Sequence, residues 1–130
     1  MAKQRTLTKE ISISGKGLML GQPVTATIKP APENYGIVFQ RIDLDGTPAL
    51  KACPENYQAD LPRCTSIGDG HTKVNSVEHL LSALGGIGID NAQIDVDGPE
   101  LPSLDGSSLP YVERIMDVGI AEQNSDKKFI

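Results

Sequence analysis

The chain has 130 residues, 38% apolar and 22% charged, with 12 Lys and Arg against 17 Asp and Glu and a net charge of -5. That length builds one domain with a real core and leaves no room for a TIM barrel or a complete dinucleotide-binding enzyme. An acidic chain without a basic run is a poor non-specific binder of nucleic acid or anionic membrane. Apolar residues recur too evenly for disorder, and no run approaches the roughly 20 apolar residues of a membrane span. Met1-Ala2-Lys3-Gln4-Arg5-Thr6 lacks an apolar h-region, so no signal peptide is expected. Two cysteines, Cys53 and Cys64, do not make a secreted disulfide framework, and the expected compartment is the cytoplasm.

Residues 4–13 read as a strand that alternates at its end, at Ile11 and Ile13. Gly15-Lys16-Gly17 and Gly21-Gln22-Pro23 are turns, and 24–28 is a strand stopped by Pro30 and Pro32. Tyr35 to Ile42 is the clearest β-run, ended by Asp43-Leu44-Asp45-Gly46. Residues 47–62 read as irregular, and Arg63 to Ile67 as a short strand before Gly68-Asp69-Gly70. A helix follows, with Asn75 or Ser76 as N-cap and Glu78 in its first turn. Val77, Leu80, Leu81 and Leu84 form its apolar stripe, and Gly85-Gly86 stops it. Residues 89–97 form another strand. A second helix spans about Pro110 to Val118, with Ser107 and Ser108 before it and Gly119 after it; Val112, Ile115 and Met116 share a face. The order predicts an α+β fold, a mostly antiparallel sheet with two helices packed on one face.

His71 and His79 are the only histidines. His71 follows a Gly-Asp-Gly turn and reads as an exposed loop residue. His79 follows Glu78 on an apolar helix. Such a pair is ordinarily solvated surface; its useful chemistry is a neutral imidazole ligating zinc beside a carboxylate that takes a proton from water. It is not an H-E-x-x-H arrangement, since Asn75 and Ala83 stand four residues either side of His79. A structural zinc site would need Cys53, Cys64, His71 and His79, whose gaps of ten, six and seven residues include no C-x-x-C knuckle. The cysteines otherwise read as small buried hydrophobes. In Leu101-Pro102-Ser103-Leu104-Asp105-Gly106-Ser107-Ser108, Asp105 and the serines read as caps of the second helix. Gly15-Lys16-Gly17-Leu18 is no phosphate loop, lacking the Gly-Lys-Ser/Thr ending and the following helix.

Several segments, in this order, carry a family resemblance: Lys3-Gln4-Arg5-Thr6-Leu7, Gly15-Lys16-Gly17-Leu18, Lys29-Pro30-Ala31-Pro32, Gly36-Ile37-Val38-Phe39, Ser76-Val77-Glu78-His79-Leu80-Leu81-Ser82-Ala83-Leu84, Gly88-Ile89-Asp90-Asn91, Leu101-Pro102-Ser103-Leu104-Asp105-Gly106-Ser107 and Lys127-Lys128-Phe129-Ile130. The chain resembles the N-terminal half of the zinc-dependent UDP-3-O-acyl-N-acetylglucosamine deacetylases, which commit a UDP-sugar to lipid A synthesis. The resemblance implies two similar α+β domains with facing helical layers, of which residues 1–130 are the first. It implies His79 as zinc ligand, Glu78 as general base, and Asp105 as a secondary active-site or domain-interface residue. Arg63, Cys64 and Thr65 resemble the strand at the mouth of the site, where substrate binds. No cofactor beyond zinc is implied.

The family's other two zinc ligands, a His and an Asp four residues apart, and its general-acid His belong to the second domain. The chain ends where the family's interdomain connection begins. Alone it is therefore expected to be inactive and to hold no catalytic zinc, because such a zinc takes three protein ligands plus water. Its implied partners are the C-terminal domain and the UDP-sugar precursor, and its uncovered helix face is a candidate for self-association. One departure is Gly17-Leu18-Met19-Leu20-Gly21, where the family has Gly-Leu-His, then Ser or Thr, then Gly. A thioether cannot replace imidazole there, which favours a rival reading: a non-catalytic binding or regulatory module that keeps the fold.

Overall fold

The computed structural model describes residues 2–17, 19–58, 66–68 and 72–128. Alternation decides the central strand: in β3 (Pro23–Pro30), Val24, Ala26 and Ile28 point inward between half-exposed Thr25, Thr27 and Lys29. Its neighbours are β2 (Ile11–Lys16) and β9 (Ala92–Val96), both antiparallel to it, with Ile13 opposite Ala26 and Ile28 opposite Ile94. Beyond β9 lie β4 (Ile37–Arg41), parallel to it, and then β5 (Leu50–Lys51), giving the order β2-β3-β9-β4-β5. The sheet is therefore mixed, with one parallel pair among antiparallel ones.

One face of this sheet is polar. Ser12 and Thr27 meet hydroxyl to hydroxyl at 3.1 Å, Ser14 and Thr25 at 2.8 Å, and Lys29 pairs with Asp95 at 2.7 Å. The other face supplies Ile13, Ala26, Ile28, Phe39, Ile94 and Val96 to a single core. Leu80, Ala83 and Leu84 of α1 (Glu78–Ile87) and Tyr111 and Ile115 of α2 (Leu109–Val118) complete it. Both helices thus cover one face, as their apolar spacing demands. Met116, expected on the buried face of α2, points outward and is 56% exposed; Tyr111 takes the inward place.

Residues 4–13 are two strands rather than one. β1 (Lys3–Leu7) pairs with β10 (Ile120–Asp126) in a separate antiparallel ribbon, while β2 joins the main sheet. The break falls at exposed Thr8, Lys9 and Glu10, where the Thr8 amide and hydroxyl donate to the Gly119 and Val118 carbonyls at the end of α2. Buried Asn91 ties the ribbon to the sheet: its Nδ2 donates to Gln4 Oε1 (2.9 Å) and Gln123 Oε1 (2.8 Å), and its Oδ1 accepts from the Gly36 amide (2.9 Å). A third small antiparallel sheet, β6 (Tyr57–Gln58), β7 (Ser66–Gly68) and β8 (Lys73–Val74), leads into α1. A 3-10 turn at Pro54–Asn56, β5 and β6 occupy part of the stretch expected to be irregular. Arg41 pins β8 to the main sheet: it grips Asp43 with two nitrogens (2.7 and 2.6 Å) and donates to the Lys73 carbonyl (2.9 Å). That grip holds the Asp43 carboxyl below its ordinary value.

The helix α1 does not stop at Gly85-Gly86. It runs through both to Ile87, and Gly88, at φ 87°, closes it with its amide on the Leu84 carbonyl (3.0 Å). Among the described residues, a Cβ added at Gly85 or Gly86 meets nothing within 4 Å. Both are therefore helix-interior glycines that packing among the described residues does not require. Gly85→Ala and Gly86→Ala should each stabilise the chain by about 1 kcal/mol. Urea midpoints that stay put or fall would show that something in the chain needs the space. Among the described residues no helix is long and apolar enough to cross a membrane.

Candidate active site

Fully buried Val77 and Leu80 clamp the first turn of α1 to the core, so the two residues between them are left facing out. Glu78 and His79 are each about one-third exposed, 33% and 35%, with His79 Nε2 4.0 Å from Glu78 Oε1. Neither expected N-cap residue caps this end. Val77 is the N-cap residue and makes no side-chain cap bond. Ser76 sits in the left-handed region at φ 61°, its Oγ buried and without a hydrogen-bond partner among the described residues. Asn75 turns away, and its Oδ1 accepts from the Ser66 hydroxyl (2.7 Å).

Asp105 lies in the turn before α2. Its Oδ1 accepts from the Ser107 hydroxyl (2.7 Å) and amide (2.9 Å), and Ser107 Oγ in turn accepts from the Leu109 amide (3.3 Å). Of the expected caps only Ser107 reaches a helix amide; Asp105 stops at Ser107, and Ser108, at the N-cap position, makes no side-chain cap bond. These bonds from Ser107 hold the Asp105 carboxyl below its ordinary range, with a smaller pull from His79.

Residues 99–104 form a strap that fixes this neighbourhood. The Asn75 amide donates to the Pro99 carbonyl (2.8 Å) and the Leu101 amide to the Asn75 carbonyl (3.1 Å), three residues before Glu78. The Ser103 amide donates to the Lys16 carbonyl (3.0 Å) at the end of β2. Leu104, at φ 53°, carries a strained backbone directly before Asp105. From beneath, the Tyr111 hydroxyl donates to the Pro102 carbonyl at 2.7 Å, and burial raises that phenol above its usual pKa. Tyr111→Phe strands a buried carbonyl, so the expected loss is about 1–2 kcal/mol. Chemical denaturation of the two proteins checks it, and equal midpoints would remove the bond from the account.

The sequence reading missed Glu100. It is 1% exposed, and its carboxylate accepts the Leu20 amide on Oε1 (2.8 Å) and the Met19 amide on Oε2 (3.1 Å). Its signal was a lone carboxylate between Pro99 and the apolar Leu101-Pro102. The bond to residue 19 uses backbone, while the Met19 side chain is 45% exposed. The β2–β3 turn is therefore anchored through backbone whatever side chain stands at 19.

Arg63, Cys64, Thr65 and His71 lie outside the described residues. Cys53 is a free thiol that accepts from Asn56 Nδ2 (3.4 Å) and is raised above its ordinary pKa, chiefly by Glu55 and then by desolvation. Among the described residues no three His, Cys, Asp or Glu side chains gather as a cation site. The pair at the start of α1 offers one imidazole with a carboxylate alongside, which fits one corner of a zinc site and its base.

A family model described as "LpxC: UDP-3-O-acyl N-acetylglycosamine deacetylase" matches residues 4–130. Proteins named UDP-3-O-acyl-N-acetylglucosamine deacetylase are similar along the whole chain: 51% identical in Acidithiobacillus ferrooxidans, 50% in Legionella pneumophila and 47% in Haemophilus influenzae. The chain spans 42–43% of the length of these relatives. With a match over nearly every residue and the α+β architecture in place, the chain belongs to the UDP-3-O-acyl N-acetylglycosamine deacetylase family.

Proposed function

We propose that residues 1–130 are the N-terminal domain of a cytoplasmic zinc-dependent deacetylase that removes the acetyl group from UDP-3-O-acyl-N-acetylglucosamine, and that the domain is inactive alone. The observation that carries this reading is the Glu78–His79 pair, 4.0 Å apart and facing outward on a helix end clamped by buried Val77 and Leu80. His79 would hold the zinc, with its remaining ligands coming from the second domain. When bound, zinc supplies the Lewis acidity that polarises an amide carbonyl and eases ionisation of a water. Glu78 accepts the proton of the attacking water on its carboxylate. Asp105, carried over from the family resemblance, serves as a secondary site or domain-interface carboxylate. Arg63, Cys64 and Thr65 are assigned to UDP-sugar binding by the family resemblance alone.

The second domain docks over the helices. Leu109 and Met116, seven residues apart on α2, are 55% and 56% exposed, an apolar stripe that also suits self-association of the isolated chain. The test is reconstitution. This chain is mixed with, or fused to, the remaining C-terminal part of the Acidithiobacillus ferrooxidans relative, and release of acetate from the UDP-sugar is followed. The combination should deacetylate and retain about one zinc after dialysis against a chelator, while the chain alone does neither. A combination that associates yet stays inactive with zinc restored would refute the deacetylase reading. Stoichiometric zinc retained by the chain alone would refute the half-site.

A further inference from the structure

We infer that Glu100 is a positioning residue for the Glu78–His79 site, its buried carboxylate setting the spacing between the helix end that bears the pair and the turn that bears Asp105. The inference rests on the reading of that pair proposed above. Three segments meet at Glu100. Its backbone bridges Asn75 on the run into α1. Its chain continues through the strap to Asp105. Its side chain crosses to the β2–β3 turn, where the Met19 and Leu20 amides hold both oxygens.

A carboxylate 1% exposed is expensive to bury unless donors face it. The turn supplies two, and Gly17 clears the space for them: a Cβ there would lie 1.9 Å from Glu100 Oε1. The strap has a second hold on β2, through Ser103 to the Lys16 carbonyl, with Leu104 packed 3.1 Å from the Cβ position of Gly15. Glu100 thus closes a ring made of the end of β2, the hairpin turn and the strap. With the carboxylate gone, the strap keeps its backbone bonds to Asn75, the Tyr111 bond to Pro102 and the Ser103 bond to Lys16, but loses its hold on the hairpin turn. The strap can then shift against the hairpin, and the run from Asn75 to Asp105 shifts with it. Misplacement of about 1 Å at a reacting group costs on the order of 10²-fold in rate, so a residue that touches no substrate can still govern turnover.

The experiment uses Glu100→Gln, which keeps one acceptor, and Glu100→Ala, which keeps none. In amide NMR spectra of the 130-residue chain, both variants should move the Met19 and Leu20 signals and then those of Glu78, His79 and Asp105. Ile94 and Val96 in β9 should stay in place. In the reconstituted enzyme, Glu100→Gln should lower kcat about tenfold and Glu100→Ala about 10²-fold, with KM within about twofold of wild type. Unmoved signals at Glu78, His79 and Asp105 in Glu100→Gln, or an unchanged kcat, would overturn the proposal. If Glu100→Ala loses the β9 signals and so fails to fold, Glu100→Gln decides alone. An inactive wild-type reconstitution, or a fully active Glu78→Ala, defeats the deacetylase reading instead, and the NMR shifts then still decide whether Glu100 positions these residues.

Discussion

In the reconstituted enzyme, Glu78→Ala lowers kcat by about 10²–10⁴-fold, the usual range for loss of a general base. No neighbour takes over its task. Glu78 is the carboxylate next to His79 in sequence, 4.0 Å from its Nε2. Asp105 is already engaged by the Ser107 hydroxyl and amide, which keeps it a weaker base. The substitution leaves folding nearly intact, because Glu78 is about one-third exposed and the turn is clamped by Val77 and Leu80. The lost first-turn charge is worth only about 0.3–1 kcal/mol. A drop in kcat with a melting temperature lowered by no more than about 5 °C and an unchanged KM is therefore the expected pattern. Full activity in Glu78→Ala would remove this carboxylate from the mechanism.

The parts of the fold that were legible are those whose burial follows a simple period. Alternation marked β3 and the core of β4 and β9, and the Val77, Leu80, Leu84 spacing marked α1. β10 was invisible because its last five residues, Glu122 to Asp126, are polar on both sides, with Glu122, Asn124 and Asp126 exposed and none buried. Its place comes from backbone pairing with β1 and from the buried Asn91 network, which no local pattern announces. The glycines misled in the other direction. Gly85-Gly86 has the composition of a helix stop, yet the helix continues, since propensity costs of about 1 kcal/mol each are small against the burial of Leu80, Ala83 and Leu84. At the site, Glu78 and His79 were legible as adjacent residues on an apolar helix. Glu100 was not, because its role depends on amides 80 and 81 residues earlier in the chain.

Gly17→Ala should be more destabilising than a methyl added at Gly15, Gly85, Gly86 or Gly98, glycines whose φ likewise lies outside the left-handed region. The added Cβ would sit 1.9 Å from Glu100 Oε1 and 2.1 Å from its Cδ. Gly15, Gly36, Gly88, Gly98 and Gly119 also have near neighbours, but none shows an approach below 3.0 Å. Its φ is not in the left-handed region, so the need for glycine here is space rather than backbone freedom. The obstacle is the head of a buried side chain held by two amides, so it cannot swing away without breaking both bonds. Either the carboxylate is left buried and unpaired or the hairpin turn is displaced. Overpacking alone costs about 1–3 kcal/mol, and an uncompensated buried charge about 3–5 kcal/mol. A loss of about 3 kcal/mol is expected, or a fall in melting temperature of roughly 10–15 °C for a domain of this size. The opposite sign expected for Gly85→Ala and Gly86→Ala makes a control within the same chain. A double-mutant cycle isolates the cause. If the clash is with the Glu100 carboxylate, Gly17→Ala should cost far less in a Glu100→Ala background, where the obstructing atoms are gone. An undiminished cost in that background would mean that Gly17 is needed for some other reason, and that the carboxylate only fills the space beside it.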